Sequence, residues 1–503
     1  MRLGGPVYYV VLWAAMFAEL LKDVPRGVKI VIGAILALAV FLFLRGHLYY
    51  FRSPTYLGGL IGIEIVLASL WHFETVFFPL LMLTFLWAGM ALPFSGIPAT
   101  ARWFILAVAA VAGFVMWMRE RRHTYSAFHL VAFFCICTGL VSAMVSAEPL
   151  TALLKVVSFL LLFLYGATGA RLATLGREVA FIRGLLTACE ITVFVTALAY
   201  LGAGWGIFGN PNSLGAIMGV VITPFLLWGY LIAETRSERY RRLLALGLTG
   251  VLLYISASRA GMLAAGVSIL TICFALRRQK LLLQGIFLAV LFLALAAMWN
   301  PTHFEEVVSE ATDNLIYKGK SKDLGVLQSR QTPWQETTAV IREHPWFGSG
   351  FGTSDMGPWA ERSNLSMAPS TGGLYTREGT NREHGNSYLA LAEYLGLLGI
   401  IPFLVLLYLL AKMIGQVIVW MRRTANPYHC ALPLAMMLLS GMVHAFFEDW
   451  LTAVGYYLTV FFWVGAFLLR DLMPATVPIA VRAVSAAHPT MAKLPKGMFA
   501  HGR

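Results

Sequence analysis

Three basic side chains stand where an oily chain could do chemistry. Arg259 lies in Ser256-Ala257-Ser258-Arg259-Ala260-Gly261-Met262, between two apolar runs. An arginine at the end of such a run can snorkel to headgroups. It otherwise costs free energy unless it faces a polar cavity or an anion. Arg330 lies in Gln328-Ser329-Arg330-Gln331-Thr332-Pro333-Trp334, just ahead of a predicted helix. A solvated charge is the ordinary fate of a loop arginine. A guanidinium beside a helix N-terminus is also a good phosphate site, because both offer donors to an anion. His384 precedes Gly385-Asn386-Ser387-Tyr388. It is either a capping or interfacial histidine, or a group that exchanges a proton near neutral pH.

Other residues could complete such a site. Asn210-Pro211-Asn212-Ser213 reads first as Asn or Ser caps and a Pro turn, with Asn210 and Asn212 as candidate binding residues. Trp334 beside Arg330, and Asn386 and Tyr388 beside His384, are further candidates; Asn386 or Ser387 is also the expected N-cap of the following helix. Glu448-Asp449 is an acidic pair between two apolar runs. It either orients a histidine or arginine, with Asp449 counted among the binding candidates, or is solvated.

The elements that must hold these residues are membrane helices. The 503-residue chain is 59% hydrophobic and 13% charged, with mean hydropathy +0.73. A soluble domain carries roughly twice that charge. Apolar runs long enough to span a bilayer recur at 5–21, 28–44, 54–93 (two crossings, broken near His72-Phe73-Glu74), 101–118, 128–146, 150–167, 181–203, 213–233, 241–257, 260–276, 281–298, 395–419, 430–447 and 453–470. They lack the alternation of barrel strands. The expected fold is therefore all-α and polytopic, with about 14 transmembrane helices (roughly 12 to 15) and one long, partly helical external loop.

Charge sets the expected orientation. The net charge of +13 would suggest nucleic acid in a soluble protein. Here the basic clusters fall between apolar runs, as cytoplasmic loops require, and no nucleic-acid partner is expected. Placing Arg119–Arg122, Arg236–Arg242, Arg277–Lys280 and Arg422–Arg423 inside puts Arg259, the stretch 300–386 and Glu448-Asp449 outside. The stretch 300–386 holds eleven acidic and eight basic residues, a near-neutral balance that suits an external loop. Thr302–Val308 and Pro333–Ile341 read as short helices within it, the second with Pro at its first turn. His344-Pro345-Trp346-Phe347-Gly348-Ser349-Gly350-Phe351-Gly352 reads as a glycine-rich turn.

The chain then divides into N-terminal helices of unassigned role (1–126), a transmembrane core carrying Arg259 (127–299), the external loop (300–386), C-terminal transmembrane helices (387–470) and a basic, loosely ordered cytoplasmic tail (471–503). The N-terminus reads as a retained segment rather than a cleaved signal. The five cysteines, Cys135, Cys137, Cys189, Cys273 and Cys430, all fall in apolar segments and show no zinc spacing. No Asp-x-Asp pair, esterase elbow or P-loop is present. No metal or cofactor is expected.

Several of these motifs together resemble the O-antigen ligase and O-antigen polymerase superfamily of bacterial membrane glycosyltransferases. The resemblance is carried by GNPNSLG at 209–215, SASRAGMLA at 256–264, SRQTPW at 329–334, HPWFGSGFG at 344–352 and HGNSYLALAEYLGLLG at 384–399. It covers roughly residues 140 to 470 and leaves the first hundred unmatched. It implies a polyprenyl-diphosphate-linked glycan as donor and a glycan, lipid A core or protein hydroxyl as acceptor. Transfer would occur at the periplasmic face of the bacterial inner membrane, without metal or nucleotide sugar. It further implies that Arg259 and Arg330 correspond to the family's essential arginines and His384 to its essential histidine. Ligase, polymerase and protein-glycosylating branches stay open. A transporter or flippase for a lipid-linked or anionic substrate is the alternative from another class, although transporters usually keep their charges at mid-membrane.

Overall fold

The computed structural model describes residues 69–70, 72–92, 95–120, 125–299, 309, 328–354 and 384–474. All regular structure among them is helical. In a bilayer no water is present to satisfy open backbone groups, so apolar runs close their own hydrogen bonds. The helices follow the apolar runs: a π turn Phe73–Phe77 leading into α1 (Phe78–Ala88), α2 (Gly96–Arg119), α3 (Ala127–Val145), α4 (Pro149–Ala167), α5 (Glu178–Ala197), α6 (Pro211–Leu231), α7 (Arg236–Ser256), α8 (Arg259–Ala275), α9 (Gln279–Trp299), α10 (Gln328–Glu343), α11 (Ser387–Thr424), α12 (Ala431–His444) and α13 (Tyr457–Asp471). Six helices among the described residues are long and apolar enough to cross a membrane, and three shorter apolar ones accompany them. The expected spans at 5–21 and 28–44, most of 54–93, the Thr302–Val308 helix and most of the tail lie outside the described residues. The expected count of about 14 therefore rests on the sequence alone.

One expectation needs correction. The helix in the long loop begins at Gln328, five residues before Pro333, so the proline is inside α10 rather than in its first turn. Arg330 accordingly sits within the helix and not in a loop before it.

Helix α6 is the centre of the bundle. In α6, 89% of the central apolar window is buried, against 33% to 44% in the other candidate spans. Its ladder widens to a π turn over Ile217–Ile222 ahead of Pro224, which has no N–H to donate. Thr223 returns its hydroxyl to the Met218 carbonyl at 2.7 Å. Close approach to α8 depends on glycine: a Cβ on Gly219 would lie 2.1 Å from the Gly261 carbonyl oxygen, and one on Gly261 would lie 2.4 Å from that of Gly215.

The fold's most unusual local feature is a break in α11. Gly396 has φ +64° and ψ −176°, which interrupts the helix after two turns. A break of this kind strands backbone groups away from water. The glycine-rich turn at 344–352 supplies their partners. Leu397 and Leu398 donate their N–H groups to the carbonyls of Pro345 and Trp346 at 2.7 and 3.2 Å, and Ser349 N–H donates to the Glu393 carbonyl at 2.9 Å. Ser142 on α3 donates its hydroxyl to the Tyr394 carbonyl. The turn can enter only because Gly348 adopts φ +76° and lies where a Cβ would meet the Tyr394 backbone at 2.4 Å. The two motifs are thus halves of one structure.

Ion pairs built on buried side chains tie the helices together away from this break. Arg171, 2% exposed, holds both carboxylate oxygens of Asp471 at 2.5 and 2.8 Å and stacks over the Trp117 ring at 4.3 Å. Arg242 and Arg241 both reach Glu190, at 3.1 and 2.8 Å. Breaking a buried pair leaves the surviving charge without its partner, which costs about 3–5 kcal/mol. Asp471→Asn is expected to lose about 3 kcal/mol of stability and a clear part of its thermal unfolding midpoint in detergent. An unchanged midpoint would mean that Arg171 is adequately held by Trp117 and its other neighbours.

Candidate active site

His384 closes the gap between the external loop and α11. Gly385, at φ +61°, turns the chain, and Asn386 caps α11 by accepting from the N–H groups of Tyr388 and Leu389 at 2.8 and 3.1 Å. His384 is thereby driven inward and is wholly buried. Its Nδ1 lies 2.6 Å from Asp449 Oδ2. On the other side its Nε2 lies 3.2 Å from Glu393 Oε1 and 3.2 Å from Ser354 Oγ. The Tyr394 ring meets the imidazole edge-on at a centroid distance of 5.1 Å.

Electrostatics decide the ring's charge. Burial pushes the His384 pKa down, but hydrogen bonds and charge from Asp449 and Glu393 outweigh it and raise the pKa to about 9. The resting ring is an imidazolium clamped between two carboxylates.

The loop carrying Asp449 is organised around the Ser387 hydroxyl. Ser387 Oγ donates to the Glu448 carbonyl at 2.7 Å and accepts from the N–H groups of Trp450 and Leu451 at 2.9 and 3.2 Å. Ser387 N–H also donates to the Ala445 carbonyl at 2.9 Å. The loop carrying Glu448 and Asp449 is therefore folded around the first residue of α11.

Glu448 gathers the second group of candidates. Arg330 Nη2 donates to Glu448 Oε1 at 2.5 Å, and Asn212 Nδ2 donates to the same oxygen at 3.3 Å. The Arg330 guanidinium lies over Gly385, where a Cβ would come within 2.8 Å of Nη1. Trp334, one turn along α10, donates its indole N–H to the Gly385 carbonyl at 3.4 Å. Arg330 and His384 thus reach adjacent residues of one acidic pair, Glu448 and Asp449.

Arg259 stands at the first position of α8, capped by Ser258, whose hydroxyl accepts from Gly261 N–H at 3.3 Å. Its helix joins the site through Gly261, packed on Gly215 of α6, and Asn212 of the same α6 turn reaches Glu448. These contacts place the start of α8, on which Arg259 stands, beside the α6 turn that reaches Glu448.

The remaining candidates make structural contacts. Asn210 caps α6 by accepting from Asn212 N–H at 2.8 Å. Tyr388 donates its hydroxyl to the Met442 carbonyl at 2.7 Å, tying α11 to α12. Sequence reasoning passed over Glu393, Ser354 and His444, and read Ser387 only as a possible N-cap. Only Glu393 left a signal, as a lone acid inside an apolar run.

An all-helical membrane protein that collects an imidazole, three carboxylates and a guanidinium at one end of its bundle has the apparatus for proton transfer and anion binding. Residues 244–404 match the family model described as O-antigen ligase. The match supports the O-antigen ligase/polymerase superfamily and suggests a membrane glycosyltransferase-like function in O-antigen assembly. The matched segment runs from α7 into α11 and contains Arg259, Arg330 and His384, whereas Glu448 and Asp449 lie beyond it. No curated protein matches the chain.

Proposed function

We propose that the protein is an inverting glycosyltransferase of the bacterial inner membrane. It moves a glycan from a polyprenyl diphosphate to an acceptor hydroxyl at the periplasmic face, as a ligase or polymerase in O-antigen or exopolysaccharide assembly. The observation that carries this reading is the buried His384, clamped by Asp449 and Glu393 beside the Arg330–Glu448 pair.

The geometry supports the following chemistry. The acceptor hydroxyl gives its proton to His384 Nε2 as its oxygen attacks the anomeric carbon. The bond from that carbon to the phosphate oxygen breaks, and the diphosphate leaves with the electron pair. Attack from the face opposite the leaving group inverts the anomeric centre. Asp449 on Nδ1 holds the imidazole in place and stabilises the cation formed. Arg330 and Arg259 bind the diphosphate and offset the charge that grows on it. The donor is already activated, so no ATP is needed.

A base must be deprotonated to act. With the His384 pKa raised to about 9, the reactive fraction at neutral pH is about one in a hundred and grows tenfold per pH unit. The transfer rate is therefore expected to climb with pH and level off near pH 9. The assay is the purified protein with a lipid-diphosphate glycan and an acceptor. A rate that falls over the same interval would assign His384 to the cationic role instead. Translocation without a new glycosidic bond would favour a transporter. In cells, deletion followed by glycan analysis separates the branches. Polymer retained on the carrier lipid, with no ladder on lipid A, marks a ligase. Single repeat units in place of polymer mark a polymerase.

A further inference from the structure

His444 is the last residue of α12, is 1% exposed, and has no part in the chemistry above. Trp450 donates its indole N–H to His444 Nδ1 at 3.0 Å. An indole nitrogen only donates, so Nδ1 must carry the lone pair, and the ring proton of the neutral imidazole sits on Nε2. That Nε2 is buried and has no hydrogen-bond partner among the described residues. An unmet buried donor lowers stability, and native structures retain few of them.

The helix register shows where this residue lies. Ser440 donates its hydroxyl to the Ala264 carbonyl at 3.0 Å and pairs with Ser268, which fixes α12 against α8. The two helices run in opposite directions: α8 starts, and α12 ends, at the end of the bundle that holds Glu448. One turn further along each, His444 is level with Ala260, beside Arg259, because four residues rise about 6 Å. His444 also lies within electrostatic reach of Arg330. The first turn of α8, a helix of 17 residues, adds the positive end of its dipole. The Glu448 carboxylate occupies one edge of the Arg330 guanidinium. The Nε2–H of His444, the other N–H groups of that guanidinium and the first turn of α8 are donors or positive ends, and an acceptor-only anion is what they would hold.

We propose that His444 Nε2–H is a hydrogen-bond donor to a phosphate oxygen of the lipid diphosphate, placed between Arg259 and Arg330, with Trp450 as the positioning residue that fixes its tautomer. This deepens the reading given under Proposed function and rests on it for the identity of the ligand. It also explains why a histidine is buried at a position where an apolar residue would pack at less cost.

The test is binding of farnesyl diphosphate to the full-length protein in detergent, followed by calorimetry, with farnesol as the uncharged control. His444→Ala is expected to weaken farnesyl diphosphate binding by about ten- to a hundredfold, the value of one hydrogen bond to a charged group, without changing the response to farnesol. His444→Gln, which can still accept from Trp450 and donate an N–H, is expected to recover most of it. Trp450→Phe frees the tautomer and is expected to cost a few-fold. The proposal is overturned if His444→Ala binds the diphosphate as wild type does, or if wild type does not bind it. Where the alanine variant fails to fold, a glutamine variant that folds and binds the diphosphate more than tenfold more weakly than wild type also overturns it. Diphosphate binding that depends on His444 in a protein with no transferase activity would sink the proposed reaction and leave this inference standing. Glycan transfer with a donor KM indifferent to His444 would do the reverse.

Discussion

His384→Ala is expected to lower glycan transfer by about 10²–10⁴-fold, the usual contribution of a positioned general base, with the protein still inserted and folded. Three observations set this expectation. The ring is fully buried between Asp449 and Glu393. Its pKa is raised by those two carboxylates against the effect of burial. Its backbone is placed by a left-handed glycine and a capped helix rather than by the ring's own contacts, so removing the ring should spare the local path. Asp449→Asn is expected to be milder than His384→Ala, because it weakens the base without deleting it, and to move the rising limb of the pH profile to lower pH. Glu393→Gln should shift that limb in the same direction, since each carboxylate contributes to the raised pKa. Near-wild-type transfer by His384→Ala in protein of normal thermal stability would remove the imidazole from the mechanism.

Arg330→Ala should cost about 10²–10³-fold in transfer, roughly 3–4 kcal/mol of transition-state stabilisation. The guanidinium is held at 2.5 Å by Glu448 and lies against Gly385, the neighbour of His384. It is thus fixed before substrate arrives. Arg330→Lys should recover little, since an ammonium cannot reproduce a planar five-donor fork. The Glu448 pair is partly exposed, at 19% for each side chain, so its own share of stability is modest. Most of the loss should therefore appear in the rate and the donor KM rather than in the unfolding midpoint. Arg259→Ala should behave alike. In the double variant the losses should fall short of additive if both arginines grip one diphosphate. A variant that loses stability but turns over normally once stabilised would make Arg330 a structural ion-pair partner.

The parts of the fold legible in sequence were those that a bilayer dictates residue by residue. Runs such as 128–146 and 213–233 became α3 and α6 with ends displaced by only a few residues, because hydrophobic length is a local property. Caps were legible for the same reason: Asn210 and Asn386 accept from N–H groups two or three residues on. The start of α10 was not, because a proline marks a favoured first turn without excluding an interior position. Nor was the role of the turn at 344–352. Its glycines announce unusual backbone angles, but not that the turn fills a break at Gly396 some fifty residues away.

The sequence by itself determined an all-helical, membrane-type chain, a long polar segment within it, and three basic residues worth testing, since composition, hydrophobic run length and residue chemistry need no knowledge of contacts. Only the tertiary structure decided how those residues work. It placed Asp449 on one nitrogen of His384 and Glu393 on the other, and it set Arg330 on Glu448 and His444 level with the start of α8. The physical reason is that a pKa, an ion pair and a tautomer depend on neighbours a few ångströms away. Here Asp449 and Glu448 come from a loop 65 and 118 residues beyond His384 and Arg330, while Glu393 and Trp450 lie close in sequence but meet their histidines only because the chain turns between them.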